Sequence, residues 1–261
     1  MNQHKKTISR AELQQLLEEK LNAGRIKDYC PNGLQVEGKN QISKVVTGVT
    51  ASQKLLDAAV RSGADAILVH HGYFWKGESY EITGMKKRRL QTLLKHDINL
   101  LAYHLPLDVQ PELGNNARLG QLFALENVRP LASVEPLGVV MLGDVPTAIQ
   151  NRSAEAWAEV VGTLLQRPPL LHAAGGNLIK TLAWCSGGGQ GYIDEAFAGG
   201  ADLFLSGEVS EQTIHSADEL GIHFIAAGHH ATERYGIEAL GQWLAATTGI
   251  EVEFIDLDNP A

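Results

Sequence analysis

The stretch Gly63-Ala64-Asp65-Ala66-Ile67-Leu68-Val69-His70-His71-Gly72 decides how this chain is read. Ala66 to Val69 is a short, continuous apolar run of the kind that forms a buried strand, and it ends on two adjacent imidazoles before a glycine turn. Flanking it are a strand-like Val45 to Thr50, a helical Gln53 to Arg61, a helical Lys86 to Lys95 and a strand-like Ile98 to Tyr103. Strands that alternate with helices predict a parallel sheet covered on both faces, and hence an α/β fold.

The same order recurs further on. Lys44 to Ala51 aligns with Lys180 to Gly187, Gly63 to Leu68 with Gly200 to Leu205, and Asp97 to Ala102 with Gly221 to Ala226. Three matches in one order point to an internal duplication rather than to the common look of βα units. Asp65 and Asp202 lie 137 positions apart and Ile98 and Ile222 lie 124 apart, so the first copy carries extra residues after His71. Those residues include Tyr73-Phe74-Trp75-Lys76, whose aromatic run suits a lid, a substrate-stacking wall, a subunit contact or plain core packing equally. The expected architecture is two related α/β/α domains, residues 1–127 and 128–261. A metal site is expected between them at the carboxyl ends of strands, with the segment from about 228 returning to that site. A single (β/α)8 barrel suits a chain of about 250 residues, but uneven strand spacing and the two-fold repeat argue against it.

Smaller features fill in the outline. Ser9 and Glu12 predict a capping box ahead of a helix with an apolar stripe at Leu13, Leu16, Leu17 and Leu21, and Tyr29 to Gln35 reads as a loop. Gly138 to Leu142 and Pro169 to Ala173 flank a helix opened by Ser153, and Thr181 to Cys185 begins the second series.

Composition narrows the function. With 44% apolar and 20% charged residues the chain reads as a globular protein with full cores. A formal net charge of −8 argues against a phosphate-backbone grip on nucleic acid, and Lys86-Lys87-Arg88-Arg89 reads as a solvated helix face. Cys30 and Cys185 are too few for a disulfide framework or a thiolate zinc site. Met1 to Lys6 lacks the apolar core of a signal peptide, and no apolar run approaches the roughly 18 residues of a membrane span, so a cytoplasmic protein is expected.

Strand ends are where ligands bind in such sheets, and both copies place imidazoles and carboxylates there. The first copy offers His70, His71, His104 and Asp108; the second offers Glu208, His229, His230 and Glu233. His229 and Glu233 are four apart at the start of a helix with an apolar stripe at Ile237, Leu240 and Leu244, so both can face one ion. Adjacent residues in a regular strand point opposite ways, a constraint that relaxes at a strand end; His70 and His71 then serve either one ion or two. His70, His71, Asp108, His229 and Glu233 suit two ions about 3.5–4 Å apart, bridged by Glu233. Mixed nitrogen and oxygen donors favour Fe, Mn, Zn, Co or Ni over Ca or Mg. His104 is read as a hydrogen-bonded partner supporting a ligand, or as a substrate contact, before a ligand itself, and Glu208 as a contact with substrate or metal-bound water. His4, His96, His172, His215 and His223 lack partners at suggestive spacing, and His230 faces away from the site. Gly187-Gly188-Gly189-Gln190-Gly191 could cradle a phosphate, but without the Lys-Ser/Thr of a P-loop it reads first as a βα turn.

Taken together, Tyr29 to Gly38, His70-His71-Gly72, His104-Leu-Pro-Leu-Asp108, Leu205-Ser-Gly-Glu208 and Gly228 to Arg234 resemble the Nif-three-like dinuclear metal centre proteins, also called GTP cyclohydrolase I type 2 homologs, in their short bacterial form. The resemblance runs over essentially the whole chain, with Cys30 where a small residue is expected. It implies two related α/β domains, a toroidal homohexamer and two metal ions per chain. Asp108 and His71 would bind one ion, His70 and His229 the other, with Glu233 between. It further implies a metal-dependent hydrolase that opens the guanine imidazole ring of GTP, with His104 and Glu208 as candidate catalytic residues. Hydrolysis of another nucleotide or phosphoester, or a non-catalytic metal-binding scaffold, is the alternative. The partners implied are other copies of the chain and a small-molecule substrate, with no membrane and no nucleic acid.

Overall fold

A computed structural model describes residues 6–147, 152–174 and 178–261. In chain order it contains β1 (Ile8–Ser9), α1 (Arg10–Leu21), β2 (Gly33–Val36), β3 (Gln41–Ile42), β4 (Lys44–Thr50), α2 (Gln53–Ser62), β5 (Ala66–His71), α3 (Gly84–His96), β6 (Asn99–Ala102), α4 (Leu105–Asp108), α5 (Asn115–Leu122) and β7 (Glu126–Pro130). There follow β8 (Met141–Asp144), α6 (Ala154–Leu165), β9 (Leu170–His172), β10 (Thr181–Cys185), α7 (Ile193–Ala198), β11 (Leu203–Ser206), α8 (Glu211–Leu220), β12 (His223–Ala226), α9 (His229–Thr248) and β13 (Glu251–Phe254). The fold is α/β, as the alternation of elements predicts. The chain divides into two compact units, one of residues up to Leu107 with Ile237–Asp258, the other of Asp108–Gly236 with Asn259–Ala261.

The first unit is built on a five-stranded sheet of order β13-β4-β5-β6-β2, in which β2 alone runs antiparallel. Leu55, Leu56, Leu90 and Leu93 from α2 and α3 pack with Val46, Ile67, Val69 and Leu100 on one face. On the other face α9 approaches so closely that a Cβ at Gly241 would lie 3.1 Å from the Thr47 side chain. Ile237, Leu240 and Leu244 of α9 are fully buried, as the stripe predicted. The capping box forms as expected: Ser9 Oγ accepts from Glu12 N, the Glu12 carboxylate accepts from Ser9 N, and Leu13, Leu17 and Leu21 are buried behind it. Gly33 to Gln35 departs from the loop reading. Its turn residues hide an edge strand, β2, paired to β6 through a register shift between Leu34 and Val36.

The second unit holds a six-stranded sheet of order β7-β8-β10-β11-β12-β9. The adjacent strands β10, β11 and β12 are parallel, and antiparallel β8 and β9 flank them, so the sheet is mixed rather than parallel. One face packs Trp157, Val161, Trp184 and Leu205 into a core.

The three matched sequence pairs fall on β4 and β10, β5 and β11, and β6 and β12. They share a chemical device. In the first unit the Asp65 carboxylate accepts from Ser43 N, Ser43 Oγ, Lys44 N and Lys39 Nζ. In the second, Asp202 Oδ2 accepts from Lys180 N and Thr181 N. Each Gly-Ala-Asp motif therefore does more than open a strand: its carboxylate caps the start of the neighbouring strand, satisfying amides that the ladder leaves over. The connection between β5 and α3 spans 72–83, against 207–210 between β11 and α8, and it accounts for most of the register slip after His71.

Burial alone would raise the Asp65 pKa, but the Lys39 ammonium and the Ser43 donors outweigh it and hold the carboxyl at about 2. A depressed folded-state pKa stabilises the fold above the unfolded value and loses that stabilisation as pH falls towards the folded one. Asp65→Asn is therefore expected to reduce unfolding free energy by about 1–2 kcal/mol at neutral pH. Wild-type protein should lose this increment between about pH 4 and pH 2 while the variant does not. Urea unfolding across that range checks it; parallel pH profiles for the two proteins would contradict the capping role.

Candidate metal centre

In the first unit β5 runs through His71, two residues past the predicted strand, yet the rings of His70 and His71 lie 4.5 Å apart between centroids. The strand has reached its end at Gly72, so the alternation of faces no longer separates them. Gly72 is required there, because a Cβ would stand 2.2 Å from Gln35 Oε1 and 2.5 Å from Ala102 Cβ. His104, just after β6, joins them with centroids 5.1 Å from His70 and 5.7 Å from His71. Each of the three imidazoles offers a nitrogen within 4.8 Å of the others, so the group could hold a metal ion.

Their outer nitrogens are all engaged. His70 Nδ1 donates to the Tyr103 carbonyl at 3.0 Å, His71 Nδ1 is hydrogen-bonded to Thr50 Oγ1 at 3.1 Å, and His104 Nδ1 donates to Asp28 Oδ1 at 2.7 Å. Opposite the Tyr103 carbonyl and the Asp28 carboxylate, Nδ1 of His70 and His104 carries the proton and the lone pair lies on Nε2, the tautomer a metal ligand needs; the Thr50 hydroxyl can serve His71 in the same tautomer by accepting. Asp28 also accepts from Asn32 Nδ2 and Leu105 N. Burial would raise its pKa, but hydrogen bonds from His104, Asn32 and Tyr29 N, with the charge of a protonated His104, bring it below the usual value.

In the second unit Asp108 and Glu233 are buried at 7% and 3% exposure. Asp108 Oδ1 accepts from Asn115 Nδ2 at 2.8 Å and Ser186 Oγ at 3.0 Å. His229, the first residue of α9, lies between two carboxylates: Nδ1 is 2.7 Å from Glu208 Oε1 and Nε2 is 3.2 Å from Glu233 Oε2. Burial lowers the His229 pKa, but hydrogen bonds and charge from Glu233 and Glu208 overcome it and raise it to about 9. The backbone makes room for this group. Gly187 sits at φ +60°, and a Cβ there would lie 2.1 Å from Glu233 Oε1 and 2.9 Å from His229 Nε2.

The glycine-rich loop is a packed turn. Gly187 N donates to Thr232 Oγ1 and Gly189 N to Ser206 Oγ, so two amides a phosphate cradle would use are already committed. Cys30 is a thiol with its pKa pushed up to about 12 by burial and the Asp28 charge. Burial and the charges of Asp108 and Glu233 likewise push Cys185 well up. The donor set is thus imidazole nitrogen and carboxylate oxygen, which fits borderline divalent ions. Among the other histidines, His172 pairs with Asp218 at 2.7 Å, His215 lies 3.9 Å from Glu211, His96 is exposed, and His223 and His230 are buried. His4 lies outside the described residues.

Sequence reasoning passed over Asp28, Thr50, Asn115 and Ser186. Asp28 had a signal, since it directly precedes the Tyr29 to Gly38 motif; the others act through folded proximity alone.

Fold and side-chain chemistry together define an α/β protein with clustered histidine and carboxylate side chains, at strand and helix ends, that could hold a metal ion. The sequence model of Duf34/NIF3 (NGG1p interacting factor 3) matches residues 8–260, and the chain belongs to that family. The GTP cyclohydrolase 1 type 2 homolog of Pasteurella multocida is 57% identical over 251 residues, covering 96% of this chain and 98% of the relative. The protein of the same name from Escherichia coli K12 is 55% identical, covering 97% and 100%. Among solved structures, protein ybgI, described as of unknown function, matches with a TM-score of 0.92 at 54% identity over 97% of this chain and 100% of its own. TTHA1606 from Thermus thermophilus matches with a TM-score of 0.86 at 36% identity, covering 97% and 99%. Among the described residues, no helix is long and apolar enough to cross a membrane.

Gly187→Ala should strain the turn and displace Glu233, at a cost of about 1–3 kcal/mol in stability. Gly191→Ala, where an added Cβ meets nothing within 4 Å, is the matched control. Equal unfolding midpoints for the two variants would show that the cradle around Glu233 has slack.

Proposed function

We propose that this chain holds two divalent metal ions and works as a metal-dependent hydrolase on a nucleotide, opening the imidazole ring of guanine. The observation that carries the proposal is the group of three imidazoles with every Nδ1 engaged, an arrangement that orients lone pairs for a cation. His70, His71, Asp108, His229 and Glu233 are the proposed ligands. Asp108 and His71 would serve one ion, His70 and His229 the other, and Glu233 would bridge. Support in the second unit comes from a buried aspartate and from a buried glutamate beside a histidine whose Nδ1 is held by Glu208. The relatives' shared name, GTP cyclohydrolase 1 type 2 homolog, supplies the substrate class.

Bound divalent ions would supply a water acidified towards neutral pH, ready to add to C8. Breaking a C8–N bond then requires one proton to leave the water and one to reach the departing nitrogen. His104 is suited to carry it: Asp28 accepts from Nδ1–H, which leaves Nε2 as the atom that takes and returns a proton. Glu208 holds His229 through Nδ1, and at 47% side-chain exposure it also communicates with solvent. The proposal extends to the family resemblance's toroidal homohexamer, to iron among the candidate metals and to a cytoplasmic location, which free Cys30 and Cys185 suit. The shared strands and aspartate caps support one duplicated ancestor for the two units.

Metal analysis of purified protein should give two ions per chain, and light scattering should give six chains per particle. His71→Ala and Glu233→Ala should each lose at least one ion and reduce GTP consumption by about a hundredfold or more. Fewer than one ion per chain in metal-replete protein would sink the dinuclear proposal. Turnover of phosphoesters without GTP consumption would select the other hydrolase, and full metal occupancy with no turnover would select the scaffold.

A further inference from the structure

The connection 72–83 is longer in the first unit than its counterpart 207–210 in the second, and its first half, 72–78, is pinned. Gln35 grips the Tyr73 peptide from both sides, its Oε1 accepting from Tyr73 N at 2.7 Å and its Nε2 donating to Tyr73 O at 3.1 Å. Tyr73 Oη donates to the Ala51 carbonyl, and Lys76 N donates to the Tyr29 carbonyl at 2.7 Å. One carboxylate oxygen of Glu78 accepts from both Phe74 N and Trp75 N, at 2.8 and 3.2 Å. A segment held at this many points is a fixed wall, not a lid.

At its centre Phe74 has φ +66°, a conformation that costs a bulky L residue on the order of 1 kcal/mol. Such strain persists only where the surroundings over-determine it, and here they do. Phe74 itself turns outward, 37% exposed, with the Lys86 ammonium 5.3 Å above its ring. What the turn achieves is the placement of the next residue. Trp75, half-buried, has its indole anchored by Nε1 donating to the Gly72 carbonyl at 3.2 Å. The ring stands 4.8 Å from His104 at 82° and 5.9 Å from His71 at 55°. Edge-to-face contacts of this kind prefer a defined ring orientation.

We propose that Trp75 is a positioning residue for His104. Asp28 fixes which nitrogen of His104 carries the proton, but one hydrogen bond lets an imidazole swing about its axis. The indole blocks that swing, so Asp28 and Trp75 together leave His104 one tautomer and one orientation. In its consequences for catalysis the assignment rests on the proposed metal-centre reading; in its structural content it does not.

The test is therefore read first on metal-free protein. Imidazole nitrogen NMR shifts, recorded at about pH 8.5 where histidines are ordinarily neutral, report the tautomer of His104 directly. Wild-type protein should show a single Nδ1–H form. Trp75→Ala should move the shifts towards the two-tautomer average, Trp75→Phe should restore most of the wild-type pattern, and Asp28→Asn is the positive control. Glu78→Ala keeps the indole but releases its turn, so it should move the shifts in the same direction. It also decides the matter if Trp75→Ala fails to fold by thermal melting. Wild-type shifts in folded Trp75→Ala or, where that variant does not fold, in folded Glu78→Ala would overturn the assignment. Altered shifts in a protein whose wild type binds no metal would retain the positioning role and refute the metal centre alone.

Discussion

An imidazole can offer a lone pair in a fixed direction only if something else holds the proton on its other nitrogen. That constraint organises the chemistry of both units. His70 is held by a backbone carbonyl, His71 by a threonine hydroxyl, His104 by Asp28 and His229 by Glu208. The holders come from different parts of the fold: the end of β4, the end of β6, the loop before β2 and the loop after β11. A histidine set of this kind thus cannot be assembled from a local motif. It requires the sheets to be in place first, because strand register decides which carbonyl or hydroxyl stands opposite each ring. Thr50 reaches His71 because the two are register partners in the β4–β5 ladder.

The ladders are in turn set by polar devices at the opposite strand ends. Asp65 and Asp202 gather the amides where β4 and β10 begin, which fixes those strands against β5 and β11. The two aspartates differ in degree. Asp65 also captures the Lys39 ammonium and its carboxyl is strongly acidified, whereas the Asp202 carboxylate accepts from two backbone amides. The start of the first strand series is therefore held more firmly, and it is that unit which must keep three rings in register at the far end of the strands.

Much of this was legible because it depends on short-range pattern. The Ser9 to Glu12 capping box, the Ile237, Leu240 and Leu244 stripe and the apolar run before His70 each act over a few residues, so propensity and periodicity reveal them. The histidines stood out for the same reason: polar residues ending apolar runs have no packing explanation. What could not be read was anything requiring a partner distant in sequence. Asn115 and Ser186 hold Asp108 from 7 and 78 positions away, and no composition signal marks either. The edge strand β2 was hidden for a different reason: Pro31, Asn32 and Gly33 are turn residues by any local rule, and only the exposed edge of β6 recruits Gly33 to Val36 into the sheet.

Glu208 shows how proximity changes the meaning of a residue already singled out. In sequence it stands at a strand end, which suits a group that touches substrate. In the fold its Oε1 lies 2.7 Å from His229 Nδ1, so its carboxylate orients an imidazole. The same carboxylate raises the basicity of that ring, and a more basic imidazole binds a cation more tightly once its proton has left. Asp28 stands to His104 as Glu208 stands to His229, yet Asp28 is almost fully covered while Glu208 is half open to solvent. A covered carboxylate can fix a tautomer but exchanges protons poorly with water; an open one does both. The asymmetry separates the two carboxylates: Asp28 holds its imidazole from a covered position, and Glu208 holds His229 while staying open to water.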